Sequence, residues 1–275
     1  MAKYIESAQN RLVKRLHGLK LRKNREKEQV FVAEGIRFVG EIPKDWPVEC
    51  YVVSASYAAE YDITELEKRA EVYVLTDHLF ADVAETENPQ GIMAICGRKE
   101  YDLAEMLEKK NAFFLMAEEM NDPGNLGTVI RTADACAVDA IFLSKGSVDL
   151  YNPKTLRATM GSVFHIPVFQ NVSLDEMATE LREKGIPLYA AHLQGRQYPY
   201  SLNLRRACAF LIGNEARGLS EEAAALCDSY VKIPMPGQAE SLNASVAAAV
   251  LLYEVEAQRG KSAASSVTEK AMVCI

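Results

Sequence analysis

Short, unbroken apolar runs recur through the second half of this chain: Phe113-Phe-Leu-Met-Ala117, Ala140-Ile-Phe-Leu143 and Ala207-Cys-Ala-Phe-Leu-Ile-Gly213. A strand with one wet face alternates apolar and polar residues. These runs do not alternate, so both of their faces must be buried. Helical patterns separate them, over Leu126 to Cys136, Pro153 to Met160, Leu174 to Glu183, Glu221 to Leu226 and Leu242 to Ala257. Weaker strand signals fall near Val168, at Pro187 to Ala191 and at Tyr230 to Ile233. This alternation predicts an α/β fold with a mostly parallel sheet and helices on both faces.

The first hundred residues read as a smaller α/β domain. Ser7 to Arg25 carries Leu12, Leu16 and Leu19 on one stripe and predicts one helix. Strands are expected at Gln29 to Ala33, Val48 to Val53, Glu71 to Leu75 and Ile92 to Cys96. Helices are expected after Glu34, over Thr64 to Arg69 and over His78 to Glu85. The domains are therefore placed at 1–100 and 111–259, joined by a linker at 101–110 that becomes helical. A Ser/Ala-rich tail from Gly260 is expected to fray.

The chain has 275 residues and a net charge of −7, an acidic balance that by itself speaks against a nucleic-acid partner. The distribution reverses that reading. Residues 1–27 hold nine Lys/Arg against Glu6 and Glu26. A basic segment on an acidic body suggests local contact with a polyanion, with Arg11, Lys14, Arg15, Lys20, Arg22, Lys23 and Arg25 as candidates. No apolar run is long enough for a membrane span, and the N-terminus lacks a signal-peptide core, so a soluble cytoplasmic protein is expected. The six cysteines are scattered without a C-x-x-C pair, and His17, His78, His165 and His192 show no ligand spacing; no metal site is predicted. Trp46 reads as a loop-packing residue.

Three segments carry chemistry. In Asn121-Asp-Pro-Gly-Asn-Leu-Gly-Thr-Val-Ile-Arg131 a turn follows an apolar strand, Asn125 is placed to cap a helix, and Gly127 permits close backbone approach. In Phe210-Leu-Ile-Gly-Asn-Glu-Ala-Arg-Gly-Leu219 a strand ends on Gly213, which admits a planar ligand, and Glu215 stands ready to brace a loop. In Ile233-Pro-Met-Pro-Gly-Gln-Ala-Glu-Ser-Leu-Asn-Ala-Ser-Val246 a proline-rich loop leads to Ser241 as helix cap, with Asn243 on the first turn.

In this order and spacing, the three segments resemble the motifs of the SpoU (TrmH-like) RNA 2′-O-ribose methyltransferases of the SPOUT superfamily. Thr86 to Ala94 and Lys154 to Pro167 agree with that family's pattern. The resemblance implies a deep trefoil knot in the C-terminal domain and an N-terminal L30e-like, ribosomal-protein-like RNA-binding domain. It implies S-adenosylmethionine held by Leu211, Gly213, Ile233, Met235, Ser241, Leu242 and Asn243. It implies a site of Arg131, Asn125, Glu215, Ser241 and Asn243, a homodimer with the last helix near its interface, and an RNA substrate, ribosomal RNA before tRNA, with neither DNA nor a metal. A guanidinium does not readily lose its proton, so Arg131 reads as a clamp on a phosphate and a developing alkoxide. A non-catalytic RNA-binding or ribosome-assembly protein on the same fold is the alternative. A dinucleotide-binding enzyme ranks lower, because Gly124-Asn-Leu-Gly127 misses the G-x-G-x-x-G spacing.

Overall fold

The structure is a computed structural model describing residues 2–263. The chain divides into two compact units. One takes the chain up to Tyr101 together with Leu126–Arg131 and Val148–His165. The other takes Asp102–Asn125, Thr132–Ser147 and the chain from Ile166 onward.

In the first unit the elements run β1 (Lys3–Ile5), α1 (Arg11–Leu19), α2 (Arg22–Glu28), β2 (Val30–Glu34), α3 (Ile36–Gly40), β3 (Val48–Ser54), α4 (Ala55–Glu60), α5 (Thr64–Arg69), β4 (Glu71–Leu75), α6 (Asp77–Val83) and β5 (Ile92–Gly97). The sheet order is β1-β4-β3-β5-β2, with β5 antiparallel to both its neighbours. Val13, Leu16 and Leu19 of α1 and Leu79, Phe80 and Val83 of α6 share a core with Val52, Leu75, Met93 and Ile95. Phe164 gathers the rings of Phe38 and Trp46, at centroid distances of 5.2 and 5.0 Å. Trp46 is buried and donates its indole N–H to the Gly97 carbonyl, as a packing residue does.

The single helix expected over Ser7 to Arg25 is two. Leu21 is extended, and the chain restarts as α2. The carbonyls that α1 leaves open at its end are the reason. Arg25 turns back and donates to the Leu19 and Lys20 carbonyls, each at 2.8 Å, and pairs with Asp149 at 2.6 Å. Arg25 is therefore buried and cannot face a phosphate, which corrects its place among the RNA candidates. The sequence reading also lacked β1 and α4. Both are short, and α4 rests on a local cap, Ser54 Oγ accepting from the Tyr57 N–H.

The chain continues through α7 (Leu103–Leu107), β6 (Phe113–Ala117), α8 (Pro123–Ala135), β7 (Ala140–Ser144), α9 (Pro153–Thr159), β8 (Val168–Val172), α10 (Leu174–Glu183), β9 (Leu188–Ala191), β10 (Cys208–Ile212), α11 (Glu221–Ala225), β11 (Ser229–Val231) and α12 (Ala244–Ala263). The second sheet has the order β11-β9-β10-β6-β7-β8 and is parallel throughout, as the unbroken apolar runs require. Phe114, Met116, Phe142 and Leu211 turn one way, onto Met177 and Leu181 of α10. Phe113 turns the other way, under the Arg259 guanidinium of α12. Helices thus cover both faces.

Two caps differ from expectation. α8 begins at Pro123, capped by Asp122, which accepts from the Asn125 N–H at 2.8 Å. Pro at the first helical position is preorganised for that start, and it frees the Asn125 side chain. α12 begins at Ala244, capped by Asn243 in place of Ser241. It runs through Gly260 to Ala263; the rest of the expected tail, with Cys274, lies outside the described residues. No described helix is long and apolar enough to cross a membrane.

Arg25 and Asp149 form a buried ion pair whose Arg25 Nε lacks a partner. Arg25→Ala should cost about 3–5 kcal/mol in urea unfolding, because Asp149 is left as a lone buried charge. The apolar pair Arg25→Met with Asp149→Leu should recover much of that loss. A double variant as unstable as the single one would contradict this account.

Candidate active site

The carboxyl ends of β9, β10 and β11 lie side by side, where open parallel sheets bind ligands. The loops leaving them enclose a cleft of about 300 Å³. Ala191, His192 and Leu193 come from the end of β9, residues 212–218 from the end of β10, and Val231 to Ile233, Met235, Ser241 and Leu242 from the stretch after β11. Ala244 and Ala247 of α12 close it. Ile212, Ile233, Met235 and Leu242 give apolar walls, and the turns supply backbone N–H and C=O groups. Such a slot suits the flat ring and ribose of an adenosyl group.

Gly213 is where β10 turns into this cleft. A Cβ there would stand 2.2 Å from Gly218 C and Leu219 N, so no other residue fits. Asn214 then closes the turn. Its Oδ1 accepts from the Ala216 and Arg217 N–H groups at 2.9 and 3.2 Å, and its Nδ2 donates to the Glu119 carbonyl at 2.7 Å. Glu118 holds the far end through Ser220 N and Oγ, at 2.8 and 2.6 Å.

Glu215 ties the three segments together. Its carboxylate accepts from the Asn121 and Asp122 N–H groups and from Asn125 Nδ2, each at 3.2 Å. Asn125 Oδ1 in turn accepts from Asn243 Nδ2 at 3.0 Å. Asn243 Oδ1 takes Ser245 N and Oγ at 2.9 and 2.6 Å. Partial burial opposes the Glu215 charge, but backbone hydrogen bonds from Glu215 itself, Asp122 and Asn121, with the Asn125 amide, outweigh it and hold the carboxyl below its usual range.

Of the residues expected at the cofactor, Gly213, Ile233, Met235, Ser241 and Leu242 line the cleft. The Leu211 side chain sits in the core of the second unit, and Asn243 is engaged by Asn125 and the start of α12. Arg131 is exposed on α8, roughly 9 Å along the axis from Asn125. Gly127, between them, would place a Cβ 2.3 Å from Ala158 Cβ, the close approach its position suggested. Among the basic candidates, Arg11, Lys14 and Lys23 are exposed. Arg15 pairs with Glu28 and Glu49, Arg22 with Glu26, and Lys20 donates to the Asp82 and Ala84 carbonyls. The sequence reading missed His192, Leu193, Asn214 and Lys232. Three strands ending together would have pointed to them, but only once the strand order was known.

A parallel sheet with a nucleoside-sized cleft at its carboxyl edge is the arrangement in which open α/β folds bind nucleotide-like ligands. The SpoU rRNA Methylase family profile matches residues 112–253, and the MRM3-like substrate binding domain matches residues 10–94. The chain is 38% identical to the 23S rRNA (guanosine(2553)-2′-O)-methyltransferase RlmP of Bacillus subtilis, over 92% of this chain and 99% of that one. An AdoMet-bound rRNA methyltransferase from Sinorhizobium meliloti superposes with a TM-score of 0.83 at 28% identity, over 93% of this chain and 98% of the other. The SpoU methyltransferase AviRb from Streptomyces viridochromogenes gives 0.81 at 27%, over 92% and 99%. This chain belongs to the SpoU rRNA methylase family, whose members are S-adenosylmethionine-dependent RNA methyltransferases.

The lowered Glu215 pKa carries a sign. The brace contributes fully above the ordinary carboxylate range, near pH 4.3, and is lost as pH falls through the lower folded value. Thermal melts of the protein and of Glu215→Gln should therefore differ most at neutral pH and converge in acid. A gap independent of pH would show that the charge of Glu215 does not hold the loops.

Proposed function

We propose that this enzyme methylates the 2′-hydroxyl of a guanosine in 23S rRNA. The full-length relation to the Bacillus subtilis RlmP enzyme carries that choice of substrate. Gly213, Ile233, Met235, Ser241 and Leu242 hold S-adenosylmethionine, with walls for its adenine and backbone groups for its ribose. Leu211 contributes through the backbone of β10. The cofactor supplies a methyl group already activated on a sulfonium.

What remains for the chain is to place the hydroxyl and ease its deprotonation. The bound cofactor would give up its methyl group to the ribose oxygen with cleavage of its carbon–sulfur bond, and the hydroxyl proton would leave to solvent. Arg131 holds the adjacent phosphate and the negative charge that develops on that oxygen. It lies in the Leu126–Arg131 segment that clusters with the N-terminal unit, the part of the chain matched by the substrate-binding profile. Glu215, Asn125 and Asn243 act as positioning residues for the cleft loops. Arg11, Lys14 and Lys23 add phosphate attraction, which weakens with salt.

The enzyme works as a homodimer through α12. Ala248, Leu251, Leu252 and Val255 of that helix are buried, while Val246, Val250 and Tyr253 are 48%, 40% and 55% exposed. Those three fall on one stripe that the described residues leave open. A second copy of the same helix supplies a matching apolar face.

Transfer of tritiated methyl from S-adenosylmethionine to a 23S rRNA fragment tests the reading. Arg131→Ala should lower turnover about 10²-fold or more while calorimetric cofactor binding persists. Near-normal turnover in Arg131→Lys would remove the bidentate clamp from the account. Val250→Asp should convert a dimer to monomers in light scattering; a wild-type protein already monomeric would end the dimer proposal.

A further inference from the structure

A cleft in the first unit lies outside the methyl-transfer machinery. In the first unit the carboxyl ends of β2, β3 and β4 and the start of the antiparallel β5 meet at one sheet edge, in the register Ser54↔Leu75, Val53↔Ile92 and Glu34↔Met93. Around that edge Ile36, Tyr57, Glu60, Tyr61, Asp77 and Gln90 line an open cleft of about 450 Å³.

Its chemistry is selective. Tyr57 and Tyr61 are stacked, with centroids 4.5 Å apart and planes 23° from parallel. Tyr61 is 43% exposed and Ile36 38%, so flat apolar surface is left facing water. Gly91, at φ +78°, lets Tyr57 pack into the edge; a Cβ there would stand 2.9 Å from Tyr57 Cβ. Asp77 is occupied by Ser56, accepting its N–H at 3.0 Å and its hydroxyl at 2.7 Å. Gln90 Oε1 accepts from the Ile36 N–H at 2.9 Å, so the amide is fixed with its NH₂ as the remaining donor. The Tyr61 hydroxyl donates to the Glu60 carboxylate, which lines the same cleft and keeps further acceptor positions. Among the described residues no Lys or Arg lines the cleft, and two carboxylates do. A phosphate is repelled here, whereas a planar group rich in N–H donors is not.

We propose that this cleft takes an unpaired guanine of the RNA substrate, stacked on Tyr61, with its N1–H and N2–H₂ edge on the Glu60 carboxylate and the Gln90 amide donating to a ring acceptor. Among the four bases, guanine alone presents two adjacent donors on its pairing edge, which matches the two oxygens of one carboxylate. Stacking on tyrosine gives affinity to any base, and the carboxylate gives the choice. The proposal rests on the RNA-methyltransferase reading and adds a specificity site remote in sequence from the cofactor motifs.

The test uses the full-length protein and fluorescent single-stranded RNA pentamers that differ only in the central base, followed by anisotropy. The guanine pentamer should bind about tenfold more tightly than the adenine, cytosine or uracil ones. Tyr61→Ala should weaken the guanine pentamer about tenfold, and Tyr61→Phe, which keeps the ring, should not. Glu60→Gln should abolish the preference for guanine while the other three pentamers bind as before or better. Because Tyr61 and Glu60 are exposed, thermal melts should match wild type, and calorimetry should show unchanged cofactor binding. Equal binding of all four pentamers by the wild-type protein, or guanine binding unchanged in both Tyr61→Ala and Glu60→Gln, would overturn the proposal. Absence of cofactor binding and methyl transfer in the wild-type protein is a separate result, and it would instead remove the enzymatic reading.

Discussion

Segments that leave different parts of the second unit are joined by hydrogen bonds that run through one carboxylate and one amide. Glu215 follows β10, Asn121 and Asp122 follow β6, and Asn243 precedes α12; the hydrogen bonds from Glu215 through Asn125 to Asn243 join all three. A loop that builds a binding site must be held against its own conformational entropy, which is on the order of 1–2 kcal/mol per residue. The donors gathered on Glu215, a capped α8 and a capped α12 supply that restraint without filling the cleft. The lowered pKa of Glu215 shows that the site favours the charged form in spite of partial burial. Its place in the chemistry is to keep the cleft shaped for its ligand before the ligand arrives, which lowers the cost of binding.

The fold was legible where a local signal had a single cause. Runs such as Phe113–Ala117 and Cys208–Ile212 have no polar alternation, and both are central strands of a parallel sheet. Leu174–Glu183 was read to its observed bounds, because Ser173 caps it and its apolar stripe is clean. The sequence misled where a distant partner decided the outcome. Arg25 looks like one more cation in a basic helix, yet carbonyls six and five residues back and Asp149 draw it inward. Capping was misread for a related reason. Asp122 and Asn125 are both competent caps, as are Ser241 and Asn243, and the choice depended on Pro123 and on where α12 meets Asn125.

The candidate site was partly legible. Gly213, Ile233, Met235, Ser241 and Leu242 stand in motifs whose turns and prolines mark them. His192, Leu193 and Lys232 carry no such mark, since they line the cleft only because β9 lies between β10 and β11. Asn214 was visible as a turn residue, but its contact with the Glu119 carbonyl belongs to the folded chain. The same holds for the second cleft. Tyr57 lies on a helix that the pattern did not predict and Tyr61 is the extended residue that ends it, while Gln90 comes from another loop at the same sheet edge.

Side-chain hydrogen bonds couple the three segments into one preformed cleft. Amide hydrogen exchange of the cofactor-free protein, compared with Asn125→Ala, tests it most directly. The variant removes the link between Glu215 and Asn243 while leaving the backbone cap of α8 in place. Faster exchange is predicted together at residues 121–126, at 214–218 and at the first turn of α12. Acceleration confined to 121–126, with the other two segments as protected as in the wild type, would contradict it.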